Sequence, residues 1–180
     1  MPRLLAALLL ALLGGCSGPA IEDYAEQQPR LELAEFFEGE LQAWGMFQNR
    51  SGAVVKRFKV AMQGTWEGDT GVLDERFTYS DGSIERRVWT LKRQADGTWR
   101  GTADDVVGEA IGEVAGNTLH WRYQLNLKVD DAVYRVDFDD WMYLLDEGVM
   151  LNRARMSKWG IDLGQVTLTF SKPGRPARSD

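Results

Sequence analysis

Three polar side chains stand at positions where strand-like alternation reserves a place for apolar ones. Glu75 lies between Leu73 and Phe77, Asp140 between Phe138 and Met142, and Asn152 shares the parity of Met150, Ala154 and Met156. A polar group aimed at a core is costly unless it is paired. Such residues therefore mark a rim, a structural hydrogen-bond network, or the polar end of a ligand cavity. The remaining carboxylate pairs, Asp104/Asp105, Asp130/Asp131 and Asp139/Asp140, are adjacent in sequence. Neighbours along a strand point to opposite faces, so adjacency alone does not make a general acid–base couple. The single histidine, His120, falls on the polar side of "TLHWRYQLNLKV" and reads as a surface residue. Histidine-based metal sites and triads are thereby excluded. The chain also has neither a phosphate-cradling glycine loop nor a Gly-x-Ser-x-Gly elbow. No catalytic residue, metal or cofactor is expected. Arg135, Asp137 and Asp139, with Arg153 and Arg155 on the adjoining strand, read as cross-strand ion pairs on a solvated face. The alternative is an inward clamp for a carboxylate.

Positioning these residues requires strands. In "TLHWRYQLNLKV", Leu119, Trp121, Tyr123, Leu125 and Leu127 share one face, and "VYRVDFDDWMYLL" and "QVTLTF" alternate in the same way. Turn residues such as "SDGS", "ADG", "AGN", "VDDA" and "DEG" divide the chain at short intervals. About ten successive strands of this kind predict an all-β fold, an antiparallel meander closed into a barrel between Glu40 and Ser171. A two-sheet sandwich is the alternative. Leu33, Phe36 and Phe37, at helical spacing before Gly39, predict a short N-terminal helix. With the apolar parities inward, Phe58, Val60, Phe77, Trp121, Tyr123, Phe138, Met142, Met150 and Met156 line one interior, and Glu75, Asp140 and Asn152 mark its polar end. In "VVGEAIGEVAG" the small residues share a parity. That wall leaves room for an acyl chain or for neighbouring tryptophans, of which the chain has seven.

The N-terminus carries a different message. One basic residue, Arg3, precedes an apolar run from Leu4 to Leu13. The run has signal-peptide length and is too short for a membrane span. The only cysteine, Cys16, follows at once, and a lone cysteine cannot form an intramolecular disulfide. "LGGC" resembles the lipobox of bacterial lipoproteins, which implies that Cys16 becomes the acylated first residue of the mature chain. Ser17 beside it resembles an outer-membrane sorting signal. The expected organisation is a signal peptide over 1–15, an acylated cysteine and tether over 16–30, the barrel over 31–172 and a flexible tail over 173–180. The formal charge of −6 disfavours nucleic acid as a partner, since its recognition needs a basic face, and equally disfavours direct binding of the chain as a whole to anionic headgroups.

The stretches "FFEGELQAWGMFQNRSG", "RRVWTL", "ADDVVGEAIGEVAGNTLHWRY" and "FDDWMYLLDEGVMLNRARMSKWGIDLGQVTLTF" resemble a family of uncharacterised lipoproteins of Gram-negative bacteria, defined by a domain of unknown function. The resemblance runs from Leu31 to Lys172. It implies a calycin-like (lipocalin-like) barrel held in the cell envelope through Cys16, at the outer membrane facing the periplasm. It implies no activity, cofactor or site residue. A barrel that binds a lipid or fatty-acyl ligand is the first functional expectation. The alternatives are a scaffold with a solid core, and a lipid-modifying enzyme that needs neither metal nor histidine. No protein partner is legible.

Overall fold

The computed structural model describes residues 18–129 and 131–173. Ten strands form the body: β1 (Gly39–Asn49), β2 (Val54–Glu67), β3 (Thr70–Tyr79), β4 (Ile84–Arg93), β5 (Trp99–Thr102), β6 (Ala110–Ala115), β7 (Thr118–Val129), β8 (Ala132–Asp146), β9 (Val149–Lys158) and β10 (Ile161–Ser171). Each pairs antiparallel with the next, and β1 pairs with β10 to close the barrel. This is the calycin-like meander, and closure excludes the sandwich. Closure gives every strand a neighbour on each side, although β4 is paired toward β5 over only part of its length.

The two ends of the barrel differ. One end collects the β2–β3, β4–β5, β6–β7 and β8–β9 turns and is covered by the helix α1 (Leu33–Phe37), as the spacing predicts. Leu33, Phe36 and Phe37 are all buried there. The Phe37 ring meets Phe36 and Phe170 edge-on, with centroids at 5.1 and 5.7 Å. Gly64 admits the helix: a Cβ at that position would collide with the carbonyl of Phe37. Lys172 Nζ donates to the carbonyls of Glu35 and Phe36, at 2.6 and 3.0 Å. The opposite end collects the β1–β2, β3–β4, β7–β8 and β9–β10 hairpins, with no helix laid across it among the described residues.

One stretch of wall is thin. β4 pairs with β5 only over Thr90–Arg93, because β5 is four residues long. Beyond it the chain from Ala103 to Glu109 is not strand, although "VVGEAIGEVAG" reads as one alternation. This segment follows β7 instead. Val107 N–H donates to Gln124, and Asn126 N–H donates to Asp105.

The small-residue wall holds a tryptophan. Cβ atoms at Gly101 and Gly112 would both run into the Trp121 ring.

Residues 21–24, within the segment expected as a tether, form a turn of 3-10 helix. Its Tyr24 ring rests against Trp141 and Tyr143 at 5.8 and 5.5 Å. His120 joins this outer cluster, stacked on Trp141 at 4.0 Å with Nε2 2.5 Å from Asp139 Oδ1. It faces outward as expected, but is covered by aromatic rings rather than by solvent. Cys16, the signal segment and residues 174–180 of the tail lie outside the described residues.

Candidate functional site: a cavity crossed by a polar belt

The inward parities enclose a cavity of about 510 Å³ that runs from Leu33 and Phe37 of α1 to Val55, Lys56 and Val129 at the opposite rim. Every ligand-contact residue expected from the sequence lines it except Met150, which is fully buried in the core but not on the cavity surface. Val60 is likewise core. Toward the rim the lining is aromatic. Phe58 packs on Phe77 at 5.9 Å, and Tyr123 stacks on Phe138 at 5.0 Å. Toward α1 it consists of Leu73, Leu91, Leu119, Trp121, Met142 and Phe170.

The polar residues do not mark an end. On β3, Glu75 stands between Leu73 and Phe77, and on β8, Asp140 stands between Phe138 and Met142; all six line the cavity. They form a belt at mid-depth with apolar chambers on both sides. The expectation of a polar end is corrected on this point: a strand of period two places residues two and more positions along on the same inner face, beyond the acid as well as before it.

Arg87 on β4 completes the belt and is the member that pattern reading did not place. Register puts it opposite Glu75. In "RRVWTL" Arg87 shares the parity of the inward Trp89 and Leu91, whereas Arg86 lies on the other parity and points outward to Asp74, at 2.8 Å through two nitrogens. Arg87 lines the cavity with its side chain 21% exposed. Its Nε and Nη2 donate to Asp105 of the Ala103–Glu109 segment at 2.9 and 2.7 Å. This pair spans the thin part of the wall.

Burial sets the protonation of the belt. Glu75, 8% exposed, is pushed up to about 7 by burial, and Arg87 pulls it partly back. Asp140, 5% exposed, is pushed up to about 8 by burial, against the hydrogen bond that Tyr123 donates at 3.3 Å. Desolvation opposes the charge on Arg87, but the Asp105 hydrogen bonds and the Glu75 carboxylate hold it firmly ionised. Burial also raises Tyr123 well above the usual phenol range, with Asp140 adding to it. At neutral pH the belt is thus one cation with a carboxylate partner, a neutral phenol, and two acids near or in their neutral forms. Asp140 Oδ1 has no hydrogen-bond partner. Buried polar atoms normally have one, so this atom is the belt's free valence. Asn152 donates to Trp141 O at 3.5 Å, a long contact that leaves its amide capacity largely unused.

No group of histidine, cysteine and carboxylate side chains among the described residues could hold a metal ion. Among the same residues no helix is long and apolar enough to cross a membrane. Arg153 and Arg155 face outward, toward Gln165 at 3.0 Å and Asp162 at 3.4 Å, and form no clamp.

Residues 10–172 match the family described as "Protein of unknown function (DUF3833)". Comparison with curated proteins gives no match. Among solved structures, the chain is similar to an S-type phycobiliprotein lyase, CPES, from Guillardia theta. The two share 8% identity at a TM-score of 0.60, over 87% of this chain and all of that one. At this identity the likeness extends to the fold alone.

Proposed function

The chain belongs to this family of proteins of unknown function, and we propose that it carries an amphipathic acyl ligand inside its barrel. The observation that carries this reading is the cavity itself, apolar above and below a belt in which a buried Asp140 oxygen has no partner. Its volume falls within the range of ligand pockets, roughly 300–1,000 Å³. The chain of the ligand fills the apolar chambers, and its polar group meets Arg87, Glu75, Tyr123 and Asp140. Because burial keeps Asp140 largely protonated at neutral pH, it donates to a carbonyl or ester oxygen rather than repelling it. Glu75, pushed up to about 7, stays paired with Arg87. A cavity of this size counts against a scaffold with a solid core.

The site of action belongs to the same reading. The apolar run Leu4–Leu13, followed by "LGGC", supports acylation of Cys16 and anchoring in the cell envelope, at the outer membrane facing the periplasm. A single acyl chain holds a protein only marginally, whereas several hold it stably. Mass spectrometry of envelope-purified protein tests the anchor, which requires a mature chain starting at an acylated Cys16.

Titration with a fluorescent acyl probe tests the cavity. Wild-type protein should bind the probe saturably. Leu125→Trp and Met156→Trp place bulk in the rim-side chamber and should each weaken binding at least tenfold, with folding checked by circular dichroism. Absence of saturable binding by folded wild-type protein would overturn the carrier reading.

A further inference from the structure

The turn between β9 and β10 is Lys158-Trp159-Gly160-Ile161, with φ of +53° at Trp159 and +77° at Gly160. Positive φ at both central residues is the geometry in which asparagine–glycine is favoured, and a bulky side chain there is an outlier. Trp159 is the described chain's one non-glycine residue in this region of backbone. It is also 85% exposed. A strained position holding a large apolar group in water is a reason to look for function.

Its neighbours supply one. Val54, Ile84, Val133, Tyr134 and Ile161 come from all four hairpins of the uncovered end, and with Trp159 they are exposed by 43% to 85%. At the helix-covered end Leu145 is the comparable exposed residue near a turn among those described. The apolar ring continues inward without a break, since Val55 and Val129 belong both to the rim and to the cavity lining. Basic residues interleave with it. Lys158 Nζ lies 4.8 Å from the Tyr134 ring and 4.7 Å from that of Trp159, and Lys56 Nζ lies 4.0 Å from Tyr79. Arg50 and Lys128 stand at the same tips. Of the acids there, Asp81 is held by Lys56 at 3.1 Å, Glu85 by Tyr79 at 2.7 Å and Asp162 by Arg155 at 3.4 Å. Asp130 and Asp131 between β7 and β8 add further negative charge, so acids and bases at the rim nearly balance. The covered end is the more acidic of the two, with Glu32, Glu38, Glu67, Asp69 and Asp146 around α1 and its turns.

We propose that this rim docks on the surface of an anionic phospholipid bilayer, with Trp159 and Tyr134 seated at the headgroup level and the lysines toward the phosphates. Amphipathic aromatic rings favour that level. Long basic side chains bury their stems there while keeping the charge in the polar layer. Each lysine or arginine near an anionic surface adds attraction. The acidic end repels the same surface, so the field orients the cavity mouth toward the lipid. A ligand then passes between bilayer and barrel without crossing water. The inference is independent of ligand identity.

The test uses the full chain and vesicles of phosphatidylglycerol brominated near the headgroup, which quench tryptophan on contact. Wild-type fluorescence should be quenched, more weakly at high salt and with phosphatidylcholine vesicles. Trp159→Asn supplies the residue that this turn favours, so it should fold at least as stably as wild type and lose most of the quenching. Val133→Ser combined with Tyr134→Ser should lower the affinity for vesicles at least tenfold, while Leu145→Ser at the other end leaves it unchanged. Equal fractional quenching of wild type and Trp159→Asn would overturn docking by the rim, and so would a loss with Leu145→Ser as large as that with the rim pair. A wild-type dimer that ignores vesicles and dissociates with Trp159→Asn would assign the rim to a second copy and overturn the proposal. Since vesicle contact needs no bound ligand, failure here and failure of acyl-probe binding are separate results.

Discussion

The two ends of the barrel are built from the same strands with the same alternation, yet one is a core and the other a surface. β2 and β8 both run from exposed residues at the rim to buried ones below it: Val55, which lines the cavity mouth, and Tyr134, on the inward parity of Val136 and Leu144, are exposed, whereas Met62 and Leu144 are buried. Apart from a register shift at Val55 of β2 and another at Leu145 of β8, the alternation holds along both strands. What changes is the cover, since α1 lies over one end and water over the other. A period of two determines which face of a strand turns inward, but it carries no information about what lies beyond the strand end.

The comparison breaks most visibly at α1. Phe37→Ala removes a ring buried against Phe36 and Phe170, and phenylalanine-to-alanine changes in a core cost about 3–5 kcal/mol. Chemical denaturation should record that loss. Val133→Ala at the rim should stay within about 0.5 kcal/mol, as exposed substitutions do. Equal losses would show that the ends are energetically alike.

The belt between the ends gives a pH signature. Folding raises Glu75 to about 7 and Asp140 to about 8, from unfolded values near 4.5 and 3.8. Between those limits the folded chain holds protons that the unfolded chain has released. The contribution of these two groups is therefore greatest at the acid end of that window and falls as pH rises, by up to about 1.4 kcal/mol per pH unit for each group. Above about pH 8 this contribution is spent. Asp140→Asn should flatten the upper part of the profile, read from unfolding midpoints between pH 5 and 9. An unchanged slope would mean that Asp140 is ionised in the native protein.

Trp121 belongs to the covered half by packing. Gly112→Ala would press a methyl group into its ring, and overpacking of this kind costs about 1–3 kcal/mol. The melting temperature should fall accordingly. This also shows why Trp121→Ala is a poor probe of ligand binding: a loss of affinity would be confounded with a loss of packing.

Pattern reading reached the barrel, α1 and most of the cavity lining, because each of these rests on local alternation. It located Glu75, Asp140 and Asn152 as polar residues of inward parity. It did not place Arg87, although in "RRVWTL" Arg87 shares the parity of the inward Trp89 and Leu91 whereas Arg86 shares that of Val88 and Thr90. It also merged Val106–Glu109 with β6 into one alternation. The alternation is continuous there, but Gly108, with φ of +70°, redirects the chain. The cover on His120 was missed because it comes from Trp141, its partner across the β7–β8 register, which alternation within one strand does not reveal.

The smallest effect on stability should come from the wall that separates the two ends on one side. Beside Ile84–Trp89 there is no paired strand on the β5 side, and the span to the Ala103–Glu109 segment is crossed by Arg87 and Asp105. Their ion pair is partly exposed, at 21% and 36%, so it contributes at most about 1 kcal/mol to folding. Its position matters more than its energy. Asp105 is held to β7 through its carbonyl, which accepts from Asn126 at 2.8 Å, so losing the carboxylate would free the β4 side of the gap while the segment stays docked. Asp105→Asn should therefore leave the melting temperature within a few degrees. It should speed both entry and exit of an acyl probe in stopped-flow traces, and free Arg87 for an anionic headgroup. If entry occurs only through the rim, both rates will match wild type while the preference for anionic probes still rises. That outcome would retain Arg87 as part of the belt and remove the thin wall as a route.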